Sequence, residues 1–269
     1  MDNRPVGIFD SGFGGLTALK ALREMMPDEN IIYFGDNGRA PYGGRSTEQL
    51  KAMARQDIAF VSGLGIKAII VACGTLSSAA ADVLEECTLP LSGVLNASVN
   101  VLQQLGGVSP LGVIATEASI RSGAFKTSLS AAFPGREIID LACPEFVPLI
   151  ESGHISLGDS LLASAVERAL APLKAHRLGS LLLGCTHFGI IGNVISEYLG
   201  GDVRLVSASE CAAIEMRDRL VANGMTGGEG RTQYLTSGSA EDFSRVASVI
   251  LGMDDIRAEH IPPMEVEHI

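Results

Sequence analysis

The sequence predicts an α/β fold of two similar lobes, each a three-layer α/β/α arrangement around a mostly parallel sheet. Three observations predict it. Short apolar runs rich in β-branched residues alternate with amphipathic segments along the chain, the pattern of strand–helix units that feed parallel sheets. The strand-and-turn at 6–11 (Val6-Gly7-Ile8-Phe9-Asp10-Ser11) is echoed at 111–116 (Leu111-Gly112-Val113-Ile114-Ala115-Thr116). Two further runs end in a cysteine turn, Ile69-Ile70-Val71-Ala72-Cys73-Gly74-Thr75 and Leu181-Leu182-Leu183-Gly184-Cys185-Thr186, separated by nearly the same interval as the first pair. A pseudo-two-fold relation between the lobes would set the carboxyl ends of their strands, where open α/β sheets bind ligands, across one interlobe cleft. The expected lobes are 1–96 with 208–269, carrying Asp10 and Cys73, and 97–207, carrying Cys185 and His187.

Composition narrows the class. The chain has 269 residues, 46% of them hydrophobic, enough to bury large sheets. Its formal net charge of −11, with no Lys/Arg-rich run to offset it, argues against a nucleic-acid partner. No apolar run approaches a membrane span, and the first residues lack the basic-then-apolar order of a signal peptide. The five cysteines are an odd number, widely scattered. Free thiols and a cytoplasmic location are the expectation.

Taken in order, 6–10 is a strand, and Ser11-Gly12-Phe13-Gly14-Gly15 turns into a helix over 16–26. The glycine spacing is neither G-x-G-x-x-G nor a P-loop. What the turn supplies is an acid, Asp10, and a hydroxyl, Ser11, at a strand end. After a strand over 30–34, the polar loop 36–45 can present the amides of Tyr42 and Gly43 to a carboxylate, or can be a plain connector. Ser46 and Gln49 form a capping box opening a helix to about 64. The Cys73 turn is followed by an expected helix over 75–86 and a strand over 91–95. In the second half, helices are expected over 117–132 and 157–174, a strand over 136–140, and a short acidic helix near 145–151 closed by Gly153. Ser207 and Glu210 open a helix to about 221. The strand 232–236, the helix 240–251 and a strand over 256–261 complete the pattern. The tail after Pro262 is expected to be loose.

Two thiols at strand ends admit several chemistries. Most cysteines are small buried hydrophobes, and Cys87, Cys143 and Cys211 fit that reading. A Cys73–Cys185 disulfide disagrees with a reducing compartment. Cys185-Thr186-His187 with a distant Cys73 is a poor match to zinc spacing, and Cys185 with His187 supplies only part of a nucleophilic triad. If the strand ends face each other, one thiolate can take a proton from one face of a bound molecule while the other thiol returns one, inverting a stereocentre. Helix N-termini after both cysteines are expected to favour thiolates. Asp10 and His187 are placed to poise the two sulfurs.

Five segments together resemble the glutamate racemases of the aspartate/glutamate racemase family: 9–16 (Phe9 to Leu16), Pro41-Tyr42-Gly43, Ala72-Cys73-Gly74-Thr75, 116–123 (Thr116 to Gly123) and Gly184-Cys185-Thr186-His187-Phe188. They occur in the family's order over about 6–210. The resemblance implies an isomerase that interconverts L- and D-glutamate without a cofactor or metal and supplies D-glutamate for peptidoglycan and hence cell shape. It implies Cys73 and Cys185 as the acid/base pair, with Asp10 and His187 as their polar neighbours and Glu151 assisting on the His187 side. Asp10, Ser11, Tyr42, Gly43, Gly74, Thr75, Thr186 and His187 would hold the substrate, largely through hydroxyls and backbone amides. A homodimer is also implied.

The chain departs from that pattern at three places. Gly74 stands where the family usually has an Asn whose side chain hydrogen-bonds substrate. Losing one hydrogen bond to a charged group costs roughly 1.5–3 kcal/mol, about ten- to a hundredfold in binding. The space so left would admit a different substrate orientation or a different acid. Gly189 replaces a usual Pro, and 93–98 lacks the acidic-Pro turn often found there. The competing readings are a two-cysteine enzyme acting on aspartate, a hydantoin or another acid, and a non-catalytic small-molecule binder descended from the fold. A pyridoxal-phosphate enzyme is disfavoured because no lysine lies near a candidate turn.

Overall fold

The computed structural model describes residues 1–262, so the tail expected to be loose lies outside the described residues. Four parallel strands come first: β1 (Val6–Asp10), β2 (Ile31–Gly35), β3 (Ala68–Val71) and β4 (Leu91–Gly93). The chain then builds a second parallel sheet from β5 (Leu111–Ala115), β6 (Ile138–Ala142), β7 (Ser180–Leu183) and β8 (Arg204–Ser207). It returns to the first sheet for β9 (Thr232–Thr236) and β10 (Ala258–His260). The sheet orders are β10-β9-β2-β1-β3-β4 and β6-β5-β7-β8. Within each, the first strand lies between the second and third, and the fourth lies outside the third. The echo between 6–11 and 111–116 is therefore topological: β1 and β5 hold the same place, as do the cysteine-bearing β3 and β7.

Strand alternation sorts the core. Successive side chains point to opposite faces of a sheet, so Ile8, Ile70, Val113 and Leu182 fall into one buried cluster that runs from the first sheet to the second. Between the sheets this cluster includes α1 (Leu16–Met25), α5 (Val94–Leu105) and α11 (Ala208–Ala222), through Leu19, Leu102 and Met216. Their neighbours along the strands face outward. Phe9, Ile69 and Val71 pack with Leu50 and Met53 on the far side of the first sheet, and Ile114, Leu181 and Leu183 pack with Leu162 and Val166 on the far side of the second. The middle layer is thus shared.

Several elements differ from expectation for local reasons. The helix expected over 75–86 is two, Gly74–Ala79 and Ala81–Glu85, because Ala80 leaves helical geometry at φ −126° and ψ 30°. That expected over 117–132 breaks at Gly123, whose left-handed φ of 70° caps Glu117–Ser122. The strand expected over 91–95 stops at Gly93, and Val94 already opens α5, a helix the periodicity missed. The long helix expected over 157–174 is α-helical over Ser160–Leu170, and a 3-10 run over Ala171–Ala175 follows. The last strand is only Ala258–His260. The capping box of Ser46 and Gln49 forms, with both reciprocal hydrogen bonds at 3.2 Å. No helix among the described residues is long and apolar enough to cross a membrane.

Candidate active site

The carboxyl ends of β1, β3, β5 and β7 converge on a cavity of about 510 Å³. Asp10 closes β1, Cys73 follows β3, Thr116 follows β5 and Cys185 follows β7. The site residues expected from the sequence all line this cavity: Asp10, Ser11, Tyr42, Gly43, Cys73, Gly74, Thr75, Glu151, Cys185, Thr186 and His187. Both sulfurs belong to buried residues, Cys73 at 3% exposure and Cys185 at 7%.

The glycine-rich turn after β1 lets the lobes close on each other. A Cβ on Gly14 would collide with the Thr186 hydroxyl and the His187 ring. Thr186 in turn donates to the Asp10 carboxylate at 3.3 Å. The Thr17 hydroxyl donates to the Gly14 carbonyl at 2.7 Å and lies 3.3 Å from the Thr186 carbonyl. A second bridge joins the hydroxyls of Thr75 and Thr116 at 3.3 Å.

The surroundings of the two thiols have opposite character. The Cys73 thiol donates to the Ser11 hydroxyl at 3.5 Å. Burial, and then the charge of Asp10, push its pKa up to about 12. The expectation that a helix N-terminus favours the thiolate there is overturned: the following helix is a mere six residues, and desolvation outweighs it. Asp10 itself is raised by burial, opposed by the charge of His187, the amides of Gly12 and Gly15 and the Thr186 hydroxyl. On the other side, His187 lies with Nδ1 3.9 Å from Cys185 Sγ and Nε2 3.1 Å from Glu151 Oε1. Burial disfavours its charge, but the hydrogen bonds to Cys185 and Glu151 and the nearby negative groups prevail, raising its pKa to about 10. Each ring nitrogen thus faces one neighbour, Nδ1 the Cys185 sulfur and Nε2 the Glu151 carboxylate. A short 3-10 run, Thr186–Ile191, follows Cys185 in place of an α-helix.

The loop carrying Tyr42 and Gly43 rests on a buried charged network. Tyr42 donates its hydroxyl to Asp36 and, at 3.1 Å, to Asp57. Arg39 bridges both carboxylates at 2.5 Å each, and Ser237 donates to Asp36 at 2.6 Å. The Tyr42 hydroxyl is thus occupied beneath the loop, which leaves backbone amides as the groups the loop can offer.

Gly74 differs most from its sequence reading. The space expected there does not exist: a Cβ on Gly74 would drive into the Gly184 carbonyl oxygen, far inside the 3.0 Å that real Cβ atoms essentially never breach. Gly189, by contrast, would place a Cβ in ordinary contact with Ser207. Two wall residues escaped the sequence reading of roles. Thr116 caps α6 (Glu117–Ser122), accepting from the Ser119 amide at 3.3 Å, while reaching Thr75. Neither the cap nor the bridge was read from the sequence, although Thr116 directly before the helix over 117–132 is a cap-forming residue. Cys143, read as core, is buried yet lines the cavity. Burial, and then the charge of Cys185, push its pKa up to about 12.

Two parallel sheets of matching order, with a buried cysteine after the third strand of each lining one shared cavity, define a two-lobed α/β isomerase. Comparison with known proteins makes that specific. Residues 17–216 match the Asp/Glu/hydantoin racemase family, and the chain belongs to it. It is 36% identical to a glutamate racemase of Thermoanaerobacter pseudethanolicus over 94% of this chain and 95% of that one. It is 34% identical to the glutamate racemase of Streptococcus sanguinis over 97% and 99%. Among solved structures, glutamate racemase from Francisella tularensis in complex with D-glutamate superposes with a TM-score of 0.89 at 32% identity, covering 98% of this chain and 99% of that one.

Proposed function

We propose that this chain is a glutamate racemase in which Cys73 and Cys185 work on opposite faces of the substrate Cα. The observation that carries the reading is the equivalent placement of two buried thiols, Cys73 after β3 and Cys185 after β7, at the carboxyl edges of the two sheets and lining the same cavity. One sulfur takes the Cα proton, leaving the electron pair on Cα and delocalised into the adjacent carboxylate. The opposite thiol then gives its proton to the other face, and the C–H bond it forms inverts the centre. The two sulfurs end with exchanged protonation. The high pKa of Cys73 makes it the resting acid, and the cationic His187 is the charge partner on the Cys185 side. Asp10 and Glu151 orient their respective neighbours. Ser11, Gly43, Thr75 and Thr186 hold the carboxylates and ammonium through hydroxyls and amides. Tyr42 contributes its backbone, and no cofactor or metal is called on.

In this reading the lobes are 1–96 with 208–269, and 97–207. The active form is a cytoplasmic homodimer feeding D-glutamate to peptidoglycan. Light scattering giving a single-chain mass at working concentration would refute the dimer. The reading of a different preferred acid loses its motive, since the room it needed at Gly74 is filled by Gly184. The test of function is exchange of the Cα proton for deuterium in D₂O, starting from each glutamate enantiomer without added pyridoxal phosphate. The expected result is deuterium in the inverted product from both sides, and a loss of racemisation on the order of 10³–10⁴ in Cys73→Ala and in Cys185→Ala. Retained racemisation in either variant would refute the two-thiol mechanism.

A further inference from the structure

We infer that Gly74 is a positioning residue: by lacking a side chain it seats the Cys73 turn directly on the Gly184 carbonyl and so fixes the separation of the two sulfurs. The inference rests on the two-thiol reading above. Gly74 immediately follows Cys73, and Gly184 immediately precedes Cys185. The contact between them therefore links the two catalytic turns directly, backbone against backbone.

Neither turn has room to give way. The Gly184 amide donates to the Ile114 carbonyl at 2.8 Å, which pins the turn to β5. The space beside its Cα is closed by Phe125 and Ala115 at 3.2 and 3.3 Å from where a Cβ would stand. The Gly74 carbonyl accepts from Ser78 at 2.6 Å, and the Cys73 carbonyl accepts from the Ser77 amide at 2.9 Å. A methyl group at position 74 must therefore be relieved by moving the lobes apart. The retreat is on the order of 1 Å before ordinary contact is restored. Misplacement of that size can cost about a hundredfold in rate when two groups must act on one atom.

The consequence is selective. Inversion needs both sulfurs at bonding distance from one carbon, whereas a reaction that needs a single base does not. Glutamate bearing chlorine on Cβ supplies such a reaction. One thiolate takes the Cα proton, the C–H electron pair becomes the Cα–Cβ double bond, and chloride leaves with the C–Cl pair. The ratio of racemisation to elimination then reports sulfur–sulfur placement, and it does not depend on what fraction of a preparation is folded.

The experiment measures that ratio in the parent, Gly74→Ala and Gly74→Asn. Alanine is preferred to glycine in helices, so local propensity does not oppose the first substitution. The expected result is a ratio reduced about thirty- to a hundredfold in both variants. In Gly74→Ala the KM for glutamate stays within about threefold, because the loss falls on the two-sided step. An unchanged ratio, or an Asn variant that racemises as well as the parent, would overturn the inference. Cys73→Ala and Cys185→Ala run alongside keep the two proposals apart. If they retain racemisation, the two-thiol reading fails; if they lose it while Gly74→Ala keeps the parent ratio, the role of Gly74 alone fails.

Discussion

The two cysteine turns occupy equivalent places in sheets of the same strand order, yet their electrostatic settings are opposite. Cys73 sits among a hydroxyl and a carboxylate, Ser11 and Asp10, and is held as a thiol by burial. Cys185 sits beside an imidazole that is itself backed by Glu151. Matching topology with unmatched charge teaches that the fold sets where the sulfurs stand, while their immediate neighbours set where the resting proton stays. A racemase nevertheless has two substrates of equal free energy. Its kcat/KM must be equal in the two directions, so the asymmetry can appear in kcat and KM separately but not in their ratio.

Removing the charge on the Cys73 side gives the largest effect expected among the neighbours. Asp10→Asn deletes the negative group that, after burial, holds the Cys73 pKa up. The thiolate absorbance should then titrate at lower pH than in the parent, while kcat falls on the order of a hundredfold. A titration unmoved from that of the parent would break the comparison, since Asp10 would then not be what distinguishes the two sides.

His187→Gln tests the other side through stability. The folded pKa of about 10 lies above the ordinary 6.5. The imidazolium's contribution is therefore complete below about 6.5 and is lost as pH rises through 10. Denaturation midpoints of the parent should decline between these pH values more steeply than those of the variant. The raised Cys73 thiol adds a decline of the same sign between 9 and about 12, but it is common to both proteins and cancels in their difference. Parallel profiles would mean that His187 is neutral in the fold. Glu151→Gln is the smallest of the three perturbations, because Glu151 is 41% exposed and solvent screens it. It should reduce the extra slope without abolishing it, and lower kcat severalfold at most.

How much of this was legible in the sequence depended on distance along the chain. Strands such as 6–10 and 180–183 announce themselves by apolar runs, and the paired cysteine turns announce the site. The start of α5 was hidden because Val94 and Leu95 are β-compatible apolar residues and Gly93 supplies no side-chain cap to mark a helix start. The network under the Tyr42 loop draws Asp36, Arg39, Asp57 and Ser237 from three separate stretches, and no local pattern marks such a set. Gly74 shows the limit most sharply. Its sequence context suggests vacancy, because what fills the space is a carbonyl more than a hundred residues away.

The middle layer also governs how such a cleft can open. The polypeptide passes between the sheets twice, once through α5 and once through α11, and these two crossings pack side by side through Leu102, Ala212 and Met216. Two stiff rods lying together make a knuckle, not a tether. A small slide of one rod along the other would keep the shared core packed, whereas a wide swing would tear it. The joint is built from the same side chains that keep the protein folded, so substitutions that tighten it to gain stability are expected to slow the release of product, read as a lower kcat with unchanged Cα proton exchange.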